Sequence, residues 1–388
     1  MAIQLLVTNR NLQIQGDPID GWTSLDCTKR FNEPASGSVE LPARPEIMSL
    51  LQPGNRLLVV RDGAIWCAGP MEIPQDWAWS IGASSEPDPG QVTVNFSDDL
   101  AYIAGYVTWP LPANAWTAQP TASQRQIFTT NSETIIRTLV NENCGPGALA
   151  ARQIPSLVLD AVAGVGTTTS VSTRFEALLD CCRRVAIDGG KIGFRTRQDT
   201  ATNQIKFGCY APADKTKTAR FSTGLGNLRS IAYKQSAPTV THALVAGNES
   251  ASPSQAFVEV ANATAASTWY RVEKYVDASP DNDTNGELTS AGNVELAEGS
   301  SPVELATVTV DTDDLKAGRD FDLGDKVTIE LPTGLEVADV VRSIHLQASP
   351  RGGEYVTSLV GSPEATSDPQ MVRLIRELGR RLGRLEAK

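Results

Sequence analysis

NRLLVVRDGAIWCAGPMEI, residues 55–73, is the stretch that decides the fold class of this chain. Two apolar runs flank Asp62-Gly63. Asp and Gly tolerate the positive φ of a two-residue hairpin turn, so the stretch reads as a β-hairpin. The same texture surrounds it. Short runs rich in Val, Thr and Ile are punctuated by 31 Gly and 23 Pro, the pattern of a mainly β protein. Upstream, DGWTSLDCTKRFN (20–32) alternates, and GSVELP (37–42) follows as its partner. PEIMSLLQPG (45–54) is a short helical turn stopped by Pro53-Gly54. Downstream, QVTVNFSDDL (91–100) closes the group.

Helices enter after residue 125. SETIIRTLVNENCGP (132–146) places Ile135, Ile136, Leu139 and Val140 on one face, with Ser132 as N-cap and a Gly-Pro stop. TRFEALLDCCRRVAIDGG (173–190) is a second amphipathic helix, with Thr173 as N-cap and Glu176 completing a capping box. KIGFRTRQD and NQIKFGCYAP then form a hairpin. Beyond residue 225 strands return, with a short helix in GELTSAGNVELAEGS and four strands in succession from Val303 to Ser362 that suggest a small barrel or sandwich. The expected fold class is therefore α+β, mainly β. The expected division is a first β domain over 1–125, an α+β insertion over 126–224, a second β domain over 225–362 with an inserted segment near 248–302, and a linker with a terminal helix over 363–388.

That terminal helix carries its own signal. In SDPQMVRLIRELGRRLGRLEAK (367–388), Met371, Ile375, Leu378, Leu382 and Leu385 follow one another in steps of four, three, four and three. The spacing puts all five on one seam, as a and d positions of a coiled coil. So narrow a seam suits contact between copies, and these five residues are the expected oligomer interface. Docking on its own domain is the alternative. Gly379 and Gly383 within little more than two heptads weaken the helix.

Composition excludes several functions. The formal net charge is −11, which does not suit a protein that grips phosphates through clustered Lys and Arg. No run of about 18 apolar residues is present, so no membrane span is expected. MAIQLLVTNRNLQIQ (1–15) lacks the basic and apolar regions of a secretory signal and reads as a strand. The six cysteines form no CxxC pair and the two histidines are distant from them in sequence, so buried reduced thiols are expected and a zinc site is not.

Three chemical candidates remain. Cys181 or Cys182 with His242 or His345 could serve a peptidase, but nothing in the spacing brings nucleophile and base together. Asp281-Asn282-Asp283-Thr284-Asn285-Gly286 matches half a calcium loop, yet Gly292 occupies the place of the bidentate Glu, so an acidic turn is the better reading. Trp66, Trp77, Trp79, Trp109 and Trp116 fall within 51 residues (66 through 116) and could form a sugar platform, although aromatics more often fill cores and interfaces. No phosphate-binding loop, dinucleotide fingerprint or metalloprotease motif is present, so no cofactor and no metal are expected.

Two stretches carry a family resemblance. The run from DGWTSLDCTKRFNEPASGSVELP through LLQPGNRLLVVRDGAIWCAGPMEI resembles the start of tail-tip (baseplate) hub proteins of long-tailed phages, above all the minor tail proteins of phages infecting actinobacteria. FDLGDKVTIELPTGLEVADVVRSIHLQASPRGGEYVTSLVGSP is similar to the closing barrel of those hubs, and TWYRVEKYVDAS (268–279) to a strand before it. The resemblance implies two tube-like β-barrel domains flanking the insertion. It also implies a homotrimer forming a pseudo-sixfold ring at the virion tail tip. Such a ring would close the tail tube, adapt sixfold to threefold symmetry, and anchor the distal tail protein, the tape-measure protein and tail fibres. It would open for DNA ejection, with DNA passing an acidic lumen unbound. No enzymatic activity is implied. The chain's ending in a helix suggests the absence of a fused peptidase. Receptor or cell-wall-glycan binding and peptidase activity are the alternatives.

Overall fold

The structure, a computed structural model, describes residues 3–72, 77–80, 88–120, 124–235, 237–248, 255–278, 286–299, 303–350 and 352–361. The fold is α+β and mainly β, with 42% strand and 19% helix.

The hairpin of residues 55–73 forms as its turn chemistry demands. Strands Arg56–Arg61 and Ala64–Pro70 pair from Arg61↔Ala64, and Asp62 and Gly63 both take positive φ, 50° and 79°. Arg56–Arg61 is one of the two inner strands of a four-stranded sheet in the order Ile14–Gln15, Ile3–Thr8, Arg56–Arg61, Ala64–Pro70.

The main sheet joins the two ends of the chain. Its path runs Arg220–Phe221, Lys326–Glu330, Glu336–Ser349, Ser24–Arg30, Glu33–Pro42, Asp88–Ser97, Trp77–Ser80, with Gly353–Val360 also paired to Glu336–Ser349. The 14-residue strand Glu336–Ser349 is the hinge of this arrangement. Its first part pairs with Lys326–Glu330, and its second lies between Gly353–Val360 and Ser24–Arg30, with Leu346 opposite Cys27. One apolar core follows from this. Leu5, Leu25, Val39, Leu57, Val94 and Phe96 pack with Phe221, Val327, Ile344, Leu346 and Val356, all 4% exposed or less.

The two closed barrels expected from the sequence are corrected here: no sheet closes on itself among the described residues. The cause is the long-range pairing of Glu336–Ser349 with Ser24–Arg30, which spends the free edge of each end on the other. Gly69 shows how tightly the four-stranded sheet meets this one. A Cβ there would lie inside contact distance of the Ser97 carbonyl oxygen and the Asp98 backbone.

A second core is built from helices Ser132–Asn143 and Leu178–Asp188, the sheet Leu157–Leu159, Gln204–Tyr210, Gly193–Asp199, and the pair Gln126–Asn131 with Thr168–Thr173, and it takes in Leu12, Leu100 and Ile103 of the first segment. Both helix starts differ from the sequence expectation. Asn131, not Ser132, caps the first helix, its side-chain oxygen accepting from the Glu133 and Thr134 amides, while the Ser132 hydroxyl donates to the Gly189 carbonyl. Thr173 does not cap the second. It ends the strand Thr168–Thr173 opposite Gln126, and the helix begins only at Leu178, after Phe175 with φ 56°. Strand pairing holds residues 168–173 extended, so the helix starts late.

A third unit lies within the last segment. His242–Ala246 is flanked by Phe257–Ala261, antiparallel, and Glu273–Asp277, parallel. Helix Glu287–Gly299 covers one face of this sheet, with Leu288 and Leu296 against Val245, Val258, Val260 and Val276. Among the described residues of TWYRVEKYVDAS, Glu273–Asp277 is strand, and Thr268 ends a short helix, Ala263–Thr268. The seam residues Met371, Ile375, Leu378, Leu382 and Leu385 lie outside the described residues, as do Asp281 and Asp283.

Candidate functional site

Ion-paired joints hold the segments to one another among the described residues. Arg56, 1% exposed, extends from the four-stranded sheet. Its Nη2 donates to both Asp99 oxygens at 2.6 Å, and its Nη1 donates to Gln198 Oε1 at 2.8 Å. One guanidinium thus ties the first segment (Arg56), the strand-to-helix turn (Asp99) and the insertion (Gln198). A cleft of about 230 Å³ opens beside it, lined by Arg10, Arg56, Tyr102, Ile154 and Ile205 among others. Asn32 reinforces the joint, donating to the Ile192 carbonyl at 3.0 Å and accepting from the Phe194 amide at 2.8 Å.

Arg61 makes the second joint, between the first and last segments. It donates to Glu354 Oε1 and Asp311 Oδ2, each at 2.5 Å, and to the Ala317 carbonyl at 3.0 Å. Its guanidinium also lies over the Trp66 ring at 4.8 Å, and the Lys29 ammonium lies over the same ring at 3.7 Å. Burial raises the Glu354 carboxyl above its ordinary range, and the Arg61 charge opposes that shift.

Asp98 is half-buried where the strand Asp88–Ser97 runs into the Leu100–Ala104 helix. Burial pushes its carboxyl up to about 7, against the opposing hydrogen bonds from backbone amides. The same cause pushes Asp99 to about 6 despite Arg56. Both lie above the ordinary carboxylate value of about 3.9. The native state therefore holds protons that the unfolded chain has released between about pH 4 and 7, and stability falls as pH rises through that window. The urea midpoint should drop from pH 5 to pH 8, and Asp98→Asn should flatten that drop. An equal drop in the variant would assign the effect to other groups.

The expected chemical residues are not assembled into a centre. Cys181 and Cys182 face the insertion core, and burial pushes the Cys181 thiol up to about 12 and Cys182 well above its ordinary value. The neighbours that act on Cys182 are Cys181, Cys144, Cys209 and Glu176, not a histidine. A thiol so raised is a poor nucleophile at neutral pH. His242 Nδ1 meets the Thr241 hydroxyl at 3.0 Å, and His345 Nε2 meets Asp26 at 2.9 Å, each on its own strand. Among the described residues no group of three or more His, Cys, Asp or Glu could hold a metal ion, and no helix is long and apolar enough to cross a membrane.

The tryptophans divide. Trp66 is 9% exposed beneath its two cations and cannot join a platform. The side chains of Trp77 and Trp79 are outside the described set. Trp109 and Trp116 do meet, with ring centroids 5.4 Å apart, and Phe175 stands edge-on to Trp116 at 5.4 Å. Arg152 lies over Trp109 at 3.9 Å. The loop between the tryptophans is closed by Gln119, which donates to the Leu111 and Asn114 carbonyls. Trp116 remains 60% exposed on this fixed shelf. A second apolar surface, missed in the sequence, is the uncovered face of the Phe257–Ala261/His242–Ala246/Glu273–Asp277 sheet. Phe257 is 71% and Tyr275 64% exposed there. Its signal was available: Phe257 and Tyr275 each sit on the alternation opposite the valines that meet the helix.

With this architecture in view, the chain has the fold of solved phage tail proteins. The 43 kDa tail protein of prophage MuSo2 from Shewanella oneidensis aligns at TM-score 0.55 and 13% identity, over 93% of this chain and 99% of that one. The tail protein from Neisseria meningitidis MC58 gives 0.56 and 13%, over 94% and 97%. Prophage tail protein gp18 from Listeria monocytogenes EGD-e gives 0.53 and 9%, over 97% and 98%. A search of the curated proteins gives no match. The family is shown by sequence: residues 4–362 match the Siphovirus ReqiPepy6 Gp37-like protein model, and the chain belongs to that family.

Proposed function

We propose that this chain is a structural tail-tip (baseplate) hub of a long-tailed phage. Three copies form a ring that closes the tail tube and adapts its sixfold symmetry to the threefold tip. The ring anchors the distal tail protein, the tape-measure protein and fibre proteins, and it opens for DNA ejection. The reading rests above all on the near-full-length fold shared with three solved tail proteins at TM-scores of 0.53 to 0.56. The open sheets support it, because unpaired edges are surfaces on which neighbouring chains can continue a sheet. The sheets of segments 1–125 and 225–362, joined through Glu336–Ser349 and Ser24–Arg30, then form the ring wall, with 126–224 outside the ring. The seam of Met371, Ile375, Leu378, Leu382 and Leu385 makes an interface helix, serving contact between copies or docking on its own domain. The chain works without catalysis, cofactor or metal, in the virions of phages of actinobacteria. Light scattering of the purified chain should give three times the chain mass. A monomer at high concentration would overturn the ring.

One observation favours a second role. The fixed, exposed Trp116 suits stacking against a pyranose ring of a cell-wall glycan. Pull-down on host cell walls should then be lost with Trp116→Ala and kept with Ile127→Ala, a similarly exposed residue (51%). Equal binding by the two variants would reject this role.

A further inference from the structure

We infer that the uncovered face of the His242–Ala246 sheet is the seat of the chain's own C-terminal segment, residues 371–388. Cross-strand register defines this face. Ala261, His242 and Glu273 form one row, Glu259, Leu244 and Tyr275 the next, and Phe257, Ala246 and Asp277 the third. Directly opposite residues share a side of a sheet, so Leu244 and Tyr275 in one row and Phe257 in the next make an apolar patch edged by Glu259, Glu273 and Asp277. The opposite side is already filled by helix Glu287–Gly299. A sheet face of this kind is completed by a second layer.

Two properties of residues 371–388 match it. The first is charge. The segment holds six Arg or Lys and two Glu in a chain whose net charge is −11, so its polar flanks are basic where the face is acidic. On the face, Arg271 bridges Glu259 at 2.8 Å and Glu273 at 2.6 Å, and His242 stands 3.9 Å from Glu259, which leaves the surface acidic but partly compensated. The second is size. The apolar seam from Met371 to Leu385 would run about 21 Å as a helix. Five-residue strands span about 17 Å. A helix of that length crosses the face once, seam down. A coil of three such helices would instead have to hold together over two heptads that contain Gly379 and Gly383.

This inference rests on reading the seam as an interface helix, and it stands apart from the hub itself. The test uses the full-length chain with p-benzoylphenylalanine in place of Leu382. Irradiation followed by peptide mapping should place adducts within 255–278. Adducts joining two chains would also serve the trimer. Adducts within one chain would keep the seat and remove the seam from the trimer contact. Phe257→Glu with Tyr275→Glu, both at exposed sites, should lower the yield about tenfold, the factor that 1.4 kcal/mol represents. Adducts confined to 371–388, adducts on another surface, or no adduct on the sheet would overturn the inference. So would an unchanged yield in the double variant.

Discussion

Arg56→Ala should destabilise the protein by about 3–5 kcal/mol, because it leaves the Asp99 carboxylate buried without its partner. Asp99 is 2% exposed, and the same guanidinium serves Gln198, so the loss also unlinks the insertion from the first segment. Protonation offers partial relief. Asp99 already titrates near 6, and without Arg56 its carboxyl should rise further, so the deficit should shrink as pH falls toward 5. Urea unfolding at pH 8 and pH 5 reads both effects. Arg56→Met combined with Asp99→Leu should cost much less than Arg56→Ala alone, since a buried pair replaced as a unit leaves no orphaned charge. A loss under about 1 kcal/mol at pH 8 for Arg56→Ala would mean that water reaches the joint.

Arg61→Ala should produce the second large effect, again about 3–5 kcal/mol, and its character should differ. Arg61 compensates Asp311 and Glu354 together and lies on the Trp66 ring. Its loss strands two carboxylates from the last segment against a strand from the first. Native-state hydrogen exchange should therefore show the Gly353–Val360 strand opening earlier, while helix Ser132–Asn143 keeps its protection. Glu354→Gln should cost less than Asp311→Ala, because burial already raises the Glu354 carboxyl and weakens its ionic contribution. Uniform loss of protection across both cores would show that the segments unfold as one unit.

What the sequence disclosed follows from how far each interaction reaches. The Asp62-Gly63 hairpin was legible because its cause is local: two residues that accept positive φ between two apolar runs. The apolar faces of the Ser132–Asn143 and Leu178–Asp188 helices were legible for the same reason. The helix starts were not. Asn131 and Ser132 can each cap, and the choice is made by Gly189, 57 positions away, which takes the Ser132 hydroxyl. Thr173 stays in a strand because Gln126 pairs with it. The pairing of Glu336–Ser349 with Ser24–Arg30 left no mark on either stretch, since alternation records which face is buried and not which strand lies alongside. The candidate site divided likewise. The Trp109–Trp116 pair is close in sequence and was within reach. The Arg56 joint draws on residues 43 and 142 positions away and the Arg61 joint on residues 250 to 293 positions away, and no spacing rule reports them. The cysteine–histidine candidates failed because the cysteines serve one core and each histidine belongs to a different sheet.

The proposed place of this chain is the ring at the end of a phage tail tube. Image reconstruction of the intact virion's tail tip tests it most directly. Three copies are expected around the tail axis, with the Glu336–Ser349 and Ser24–Arg30 strands of each copy in one sheet of the ring wall. Finding the chain away from the axis, on the axis in another copy number, or absent from the virion would contradict it.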